Sequence, residues 1–383
     1  MDELRRTILY YPYISVPDDW LKKSLLYWDE IGSIIPRRYI GPDITPGMEF
    51  LKHEGAFRHF EPSDLVSSTM ETTRELHDEF RSIVNSHRFK KIIQGSYLRP
   101  RNYRQRRGFR DDESISSGFL RINATPIHFD KISHGLINFL DRKNLAIPQP
   151  NRDLMLEYSN NPDDWFLMEK KTAGLYMSLL AKYLAEIDTN ATVPGTDNAD
   201  YHRLNFDPKD NQDAFYCFST TLHDLLPAPR ETVSFEELLE YKNRRVDELY
   251  LLRSEISEFQ VNLSKAESPV HIKEITVSFA ERMKREVNII NQTMRETGLE
   301  SQMGTLQTFV KMGVPTLLTG MTGPILSNLG IVQVPVELSV AAAATVGLIN
   351  VSTHMIGRRN QRRAYLRDSP FSYLYYGQSE GII

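Results

Sequence analysis

Residues 312–336 carry no charged side chain, and after the single Glu337 a second uncharged run covers 338–356. This feature limits what the chain can fold into more than any other. A dense cationic cluster follows at Arg358, Arg359, Arg362, Arg363 and Arg367. Such runs either form the buried centre of a helical domain or meet a membrane. The second run has 19 residues, close to the roughly 20 that span a bilayer. The arginines behind it are what a cytoplasmic flank would carry. Against insertion, Ala341 to Ala344 add little apolar transfer energy, and Asn350 and His354 are polar. The first run is broken by Gly313, Pro315, Gly320, Gly323, Pro324 and Gly330. A broken helix survives at membrane depth only where protein or water satisfies its freed backbone groups. We therefore expect a small-residue helix packed inside the C-terminal domain, with membrane insertion as the competing reading.

The 383 residues suffice for two domains, each with its own core. A net charge of −4 exerts no global pull on nucleic acid or lipid, so such contacts would need a local patch. The single cysteine, Cys217, cannot close an intrachain disulfide and cannot build a cysteine-based zinc site. The opening MDELRRTILYY holds acidic residues and has no apolar signal core. Together these features point to the cytoplasm, with inner-membrane association as the alternative if 312–356 inserts.

Along the first part, strand-like and helical patterns alternate. Residues 7–10 read as a strand ended by Pro12. Asp18 and Asp19 suit a first helical turn, and Leu21, Leu25 and Trp28 follow at helical spacing. Further helices are expected over 63–84, 130–141 and 172–187, the last with one apolar stripe of Ala173, Met177, Leu180, Leu184 and Ile187. Strands are expected at 118–122 and 165–168. Residues 188–213, rich in Asn, Asp, Thr, Pro and Gly, read as loop, and the prolines near residue 229 mark a domain boundary. Ser234 and Glu237 then form a capping-box pattern. Leu249, Leu252, Ile256, Phe259 and Leu263 make a seam. A second helix after Pro269 carries Ile272, Ile275, Phe279, Met283, Val287, Ile290 and Met294 on one face. The expected fold is α+β. A mixed α/β domain spans 1–228, and a mainly helical domain with a long antiparallel hairpin spans 229–383. Leu252, Ile256 and Phe259 are expected to meet Ile275, Phe279 and Met283 as core and interaction seam.

Three clusters invite chemistry. Arg99, Arg101, Arg104, Arg106, Arg107 and Arg110 interleave with Tyr97, Tyr103 and Phe109, with Arg88, Lys90 and Lys91 upstream. Guanidinium groups grip phosphates and rings stack on bases, so 88–110 could bind nucleic acid. Neutralisation by Asp111, Asp112 and Glu113 is the plainer reading. The string HFDKISH offers His128, Asp130 and His134 as metal ligands, although a helix cap or polar surface fits the spacing better. Glu169 and Lys171 after an apolar run have the form of one nuclease metal site, or simply open the following helix. Phosphate-loop, dinucleotide and nucleophile-elbow motifs are missing from the sequence. No cofactor is expected.

Four segments carry a family resemblance: LYYPYISVPDDWLKKSLLYWDEIGSIIPRRY, AGLYMSLLAKYLAEIDTNATVPGTD, FEELLEYKNRRVDELYLLRSEISEF and SPFSYLYYGQ. On these the chain resembles an uncharacterised bacterial family annotated only as a domain of unknown function. The resemblance implies a bacterial, cytoplasmic protein and carries over no catalytic residue. The expected role is a non-enzymatic interaction or scaffold component of a bacterial system, with stress and phage defence as its context. Its partner would be another protein or a second copy. A membrane-disrupting effector acting through 312–356 is one alternative. A nucleic-acid binder or nuclease using 88–110 is the other.

Overall fold

In the computed structural model, β1 (Arg6–Tyr10) lies between parallel neighbours on both sides. The structure describes residues 5–37, 39, 43–68, 70–99, 117–150, 152–156, 161–197, 226–264, 269–295 and 368–383. Its helices and strands make an α+β chain, divided into two compact units, Met1–Thr220 and Thr221–Ile383.

In the first unit, β1 leads through α1 (Asp18–Tyr27) to β2 (Glu30–Ile34), and β2 through α2 (Pro46–His53) to β3 (Phe57–Phe60). β7 (Ala191–Gly195) arrives much later and pairs with the other edge of β1, so the parallel order is β3-β2-β1-β7. Alternate side chains point to opposite faces of a strand. Ile8, Tyr10, Ile31 and Phe57 are buried on the face shared with α1 and α2. Leu9, Ile34 and Phe60 join the core formed with α3 (Pro62–Ser68), α4 (Met70–Asn85) and α9 (Lys170–Ile187). Between these elements lie α5 (His87–Ile92), α6 (Ser117–Asn123), β4 (Ala124–His128), α7 (His134–Arg142), β5 (Ala146–Ile147), α8 (Arg152–Leu156) and β6 (Trp165–Glu169). β4, β6 and β5 form an antiparallel sheet in that order.

α9 is the central helix of this unit. It packs on β1 and β7, on α3 and α4, and on β4 and β6. Thr172 to Ala181 are all buried, so the helix is enclosed on nearly every side instead of presenting the single stripe expected from spacing. Its start is fixed by Glu169, a carboxylate with no exposed surface. One oxygen accepts from the Thr172 N–H at 2.7 Å and the Thr172 hydroxyl at 2.6 Å. The other accepts from the Ser96 hydroxyl at 2.8 Å and the Lys171 N–H at 3.2 Å. Four donors and the positive helix end stabilise the buried charge.

Two expectations are corrected here. Residues 118–122 are not a strand but part of α6; the strand is the next segment, β4. Ala124 pairs with Glu169 and His128 with Trp165, so β4 uses the whole of β6 and leaves 117–123 without a strand partner. Residues 188–213 are not loop throughout, because β7 lies within them. Pro194 fits there because β7 is an edge strand, where the missing N–H breaks no ladder.

A polar ladder crosses the parallel sheet on the α9 side. Arg58 of β3 meets Glu30 of β2 at 3.0 Å and Asp188, just after α9, at 2.6 Å. The Thr7 hydroxyl of β1 donates to Glu30 at 3.1 Å, and the Thr192 hydroxyl of β7 donates to Asp188. Arg58 also lies over the Phe60 ring at 4.2 Å. That ring in turn covers Gly32, where a Cβ would fall 2.3 Å from it.

In the second unit, α10 (Phe235–Arg244) opens with a capping box. Ser234 accepts from the Glu237 N–H at 3.2 Å, and the Glu237 carboxylate accepts from the Ser234 N–H at 2.8 Å. α11 (Val246–Ser264) and α12 (Pro269–Arg295) meet with Phe259 stacked on Phe279 at 4.3 Å and Glu255 paired with Arg282. The sequence numbers of these partners run in opposite directions. α13 (Ser372–Ser379) packs on both helices. Phe371, Tyr373 and Leu374 have no exposed surface, and Phe371 meets Phe279 edge-on at 6.2 Å. Arg245 ties α13 down by donating to Glu380 at 3.0 Å while its guanidinium lies 3.7 Å over Tyr376.

Burial pushes the Asp188 carboxyl upward, but its bonds from Arg58 and Thr192 outweigh that and hold its pKa below the ordinary carboxylate value. The resulting stabilisation is fully present above about pH 4 and is lost as pH falls through the lower folded value. Arg58→Ala should cost roughly 2–4 kcal/mol in urea denaturation, because it removes the cation that Glu30 and Asp188 share and leaves Glu30 only the more distant Arg5 at 3.8 Å. Asp188→Asn should flatten the loss of stability below that pH. An unchanged urea midpoint for Arg58→Ala would show that the ladder carries no stability.

Candidate functional site

The string HFDKISH does hold an unusual residue, but it is the lysine in its middle. Lys131 ends the short 3-10 turn Phe129–Lys131 that follows β4, and only 5% of its surface is exposed. The turn is fixed from three sides. The Tyr176 hydroxyl of α9 donates to the Lys131 carbonyl at 2.7 Å. Phe129 stacks on Phe166 of β6 at 5.3 Å. The His128 Nδ1 accepts from the Asp130 N–H at 3.1 Å. The turn therefore buries the lysine stem whatever the ammonium can find.

The ammonium finds little. Among the described residues the Lys131 ammonium has no hydrogen bond or ion pair, it is not one of the fully buried polar atoms left unpaired, and the opposite charge acting on it is Asp43. Burial pulls its pKa from the ordinary 10.5 down to about 7, against the pull of Asp43. Burial also raises the Asp43 carboxyl, against the pull of Lys131. The Tyr39 hydroxyl donates to Asp43. Both residues follow the carboxyl end of β2, the end of a parallel sheet where ligands of open α/β folds collect. The His128 ring, 7% exposed, stands edge-on to Tyr39 at 6.3 Å and to Trp165 at 5.2 Å. Burial lowers its pKa, which favours the neutral imidazole. Its Nδ1 is an acceptor, so the ring proton sits on Nε2. The cluster thus combines an amine near neutrality, a carboxyl, a phenol and an imidazole against an indole wall.

The other candidate residues are used differently. Asp130 belongs to the 3-10 turn, and His134 opens α7 with its ring 6.3 Å from Phe129. Among the described residues no three His, Cys, Asp or Glu side chains come together to hold a metal. Glu169 is the α9 cap, and the Lys171 ammonium donates to the Ile92 carbonyl at 2.8 Å. Both residues stand at the opening of α9. Arg99 pairs with Asp141 of α7. Arg101, Tyr103, Arg104, Arg106, Arg107 and Arg110 lie outside the described residues, as do Cys217 and 312–356. No described helix is long and apolar enough to cross a membrane. Leu252, Ile256, Phe259, Phe279 and Met283 are buried and Ile275 is half-buried.

The first unit thus carries a parallel sheet and a smaller antiparallel one, and the second unit is helical. The chain belongs to the family of unknown function DUF6236, whose model matches residues 169–381, from the α9 cap through α13. No curated protein and no solved structure matches it. The Lys131 cluster lies upstream of the matched segment.

A buried amine that prefers to be neutral destabilises the fold wherever the unfolded chain would protonate it. Between about pH 7 and 10.5 the unfolded chain binds the extra proton, so this residue makes stability rise with pH across that window. Lys131→Met keeps the apolar stem and removes the amine. It should raise the melting temperature at pH 7 by about 2–4 °C or more and abolish that rise. A lower melting temperature with the pH slope intact would contradict the assignment.

Proposed function

We propose that the chain is an interaction component with a small-ligand site, in which the first unit takes a ligand at Lys131 and the helical unit meets a protein partner. The observation that carries the ligand reading is the Lys131 side chain, only 5% exposed and acted on by an Asp43 carboxyl that burial raises. Burying a lysine is costly, and functional sites are where such costs are retained. A small molecule with an oxygen acceptor would suit the ammonium. Tyr39, His128 and Trp165 offer it rings, and Asp43 offers a carboxyl. The partner-binding reading draws on the paired helices α11 and α12, joined at Phe259 and Phe279 and closed by Phe371. That unit falls within the family-matched segment.

Thermal denaturation of the full chain with pyruvate, glyoxylate or inorganic phosphate tests the ligand reading. At least one of them should raise the melting temperature of wild type, and Lys131→Met should lose that response. Equal shifts in both proteins, or none with any compound, would contradict a ligand site at Lys131.

A further inference from the structure

We propose that the first unit grips the phosphate backbone of nucleic acid on a basic face where the ends of α5 and α7 meet the start of α9. Hydrogen bonds at the carboxyl end of β6 hold these three helix ends together. The Glu169 N–H donates to the Leu145 carbonyl at 2.8 Å, and the Glu169 carboxylate accepts from Ser96 at 2.8 Å. The Leu98 N–H donates to the Asn144 carbonyl at 2.9 Å, and the Lys171 ammonium to the Ile92 carbonyl at 2.8 Å. Each helix end brings cations. Lys90 and Lys91 stand in the last turn of α5, Arg142 and Lys143 at the end of α7, and Lys170 and Lys171 in the first turn of α9. All are exposed except Lys143, which is half-buried with its ammonium 5.1 Å over the Phe139 ring. β6 begins at Trp165 beside the His128 ring and ends here, so this face lies at the opposite end of the strand from the Lys131 turn.

Little on the face offsets these charges. Asp141 pairs with Arg99, and Glu169 is buried as the α9 cap. Among the described residues, Lys90, Lys91, Lys143 and Lys170 have no carboxylate partner. Burial and the neighbouring Lys90 ammonium both hold the Lys143 pKa below the ordinary lysine value, so two like charges are kept close. The helix dipole favours cations at the ends of α5 and α7, but it disfavours Lys170 and Lys171 at the positive end of α9. An extended polyanion relieves this crowding. Its chemistry follows from what the face lacks. Lysine is depleted from protein–protein interfaces, whose centres are apolar and aromatic, whereas nucleic-acid interfaces are polar and strongly positive. A lipid surface takes up a broad apolar face, and here the exposed large apolar side chain is Ile92, at 36%. The lysines contact phosphate oxygens and carry no base readout, so binding is independent of sequence.

The test is fluorescence anisotropy of the full chain with a labelled, mixed-sequence DNA duplex of about 30 base pairs, titrated from about 50 to 200 mM salt. Wild type should bind with an affinity that falls steeply as salt rises, because each phosphate contact releases counterion. Lys90→Gln, Lys91→Gln and Lys170→Gln combined should weaken binding at least about tenfold at the lowest salt and reduce the salt slope by about 2–3. All three side chains are exposed, so the variant should melt like wild type. Lys52→Gln, Lys284→Gln and Arg285→Gln combined remove the same charge from exposed positions elsewhere and should bind like wild type. Equal losses in the two triple variants would show a response to net charge alone and overturn the proposal. So would a first triple variant that binds like wild type, a salt-independent affinity, or no wild-type binding at the lowest salt. Tighter binding to phosphatidylserine vesicles or to poly-glutamate than to the duplex would identify a different partner and overturn it as well.

Discussion

A charge removed from water must meet a partner, and in the first unit this requirement shapes the sheet. Arg58, Glu30 and Asp188 satisfy it together, and in doing so they join β3 and β2 to the end of α9. Thr7 and Thr192 extend the ladder to β1 and β7, so all four parallel strands share one polar line. Glu169 meets the same requirement at the other end of α9 with four donors. The central helix is thus anchored by a carboxylate at its start and another just past its end. Between those anchors, Ala173 to Leu184 fill the core on nearly every face. Neither anchor is free to be a ligand for something else.

Lys131 is the described buried charge that departs from this rule. Its backbone carbonyl is satisfied by Tyr176, and its stem is buried by the turn between β4 and α7. Its ammonium has no hydrogen bond to a described residue, and the Asp43 carboxyl acts on it. Asp43 acts on it, Tyr39 bonds Asp43, and His128 meets Tyr39 and Trp165, so residues after β2, at the end of β4 and at the start of β6 are linked in turn here. The cluster precedes the family-matched segment, so its chemistry must be judged on this chain's own residues.

How much of this was legible in the sequence depended on the range of the interactions. The Ser234–Glu237 capping box is read from four adjacent residues and stands as written. The helices of the second unit follow from local spacing, which also marks Phe259 and Phe279. Phe371, which joins them, comes from a distant segment and gives no local sign of that role. Glu169 and Lys171 carry two meanings in sequence, metal site or helix start, and the helix-start role becomes visible only with the four donors on Glu169. β7 was hidden because Thr, Pro and Gly read as loop, and what makes Ala191–Gly195 a strand is the edge of β1. Residues 118–122 look like a strand until β4 is seen to occupy the whole of β6. HFDKISH drew attention for its histidines and aspartate, whereas the burial of its lysine arises only when α9 and β6 close over the turn.

The candidate site depends on burial holding the Lys131 amine far below the ordinary lysine range. A titration of the full chain followed by NMR, observing the Lys131 side-chain Cε or Nζ signal assigned with Lys131→Met, measures this directly. The account predicts a midpoint close to 7, well under the ordinary lysine value of 10.5. A midpoint near 10.5 would mean that the ammonium is solvated or paired in solution, and the site described here would not exist.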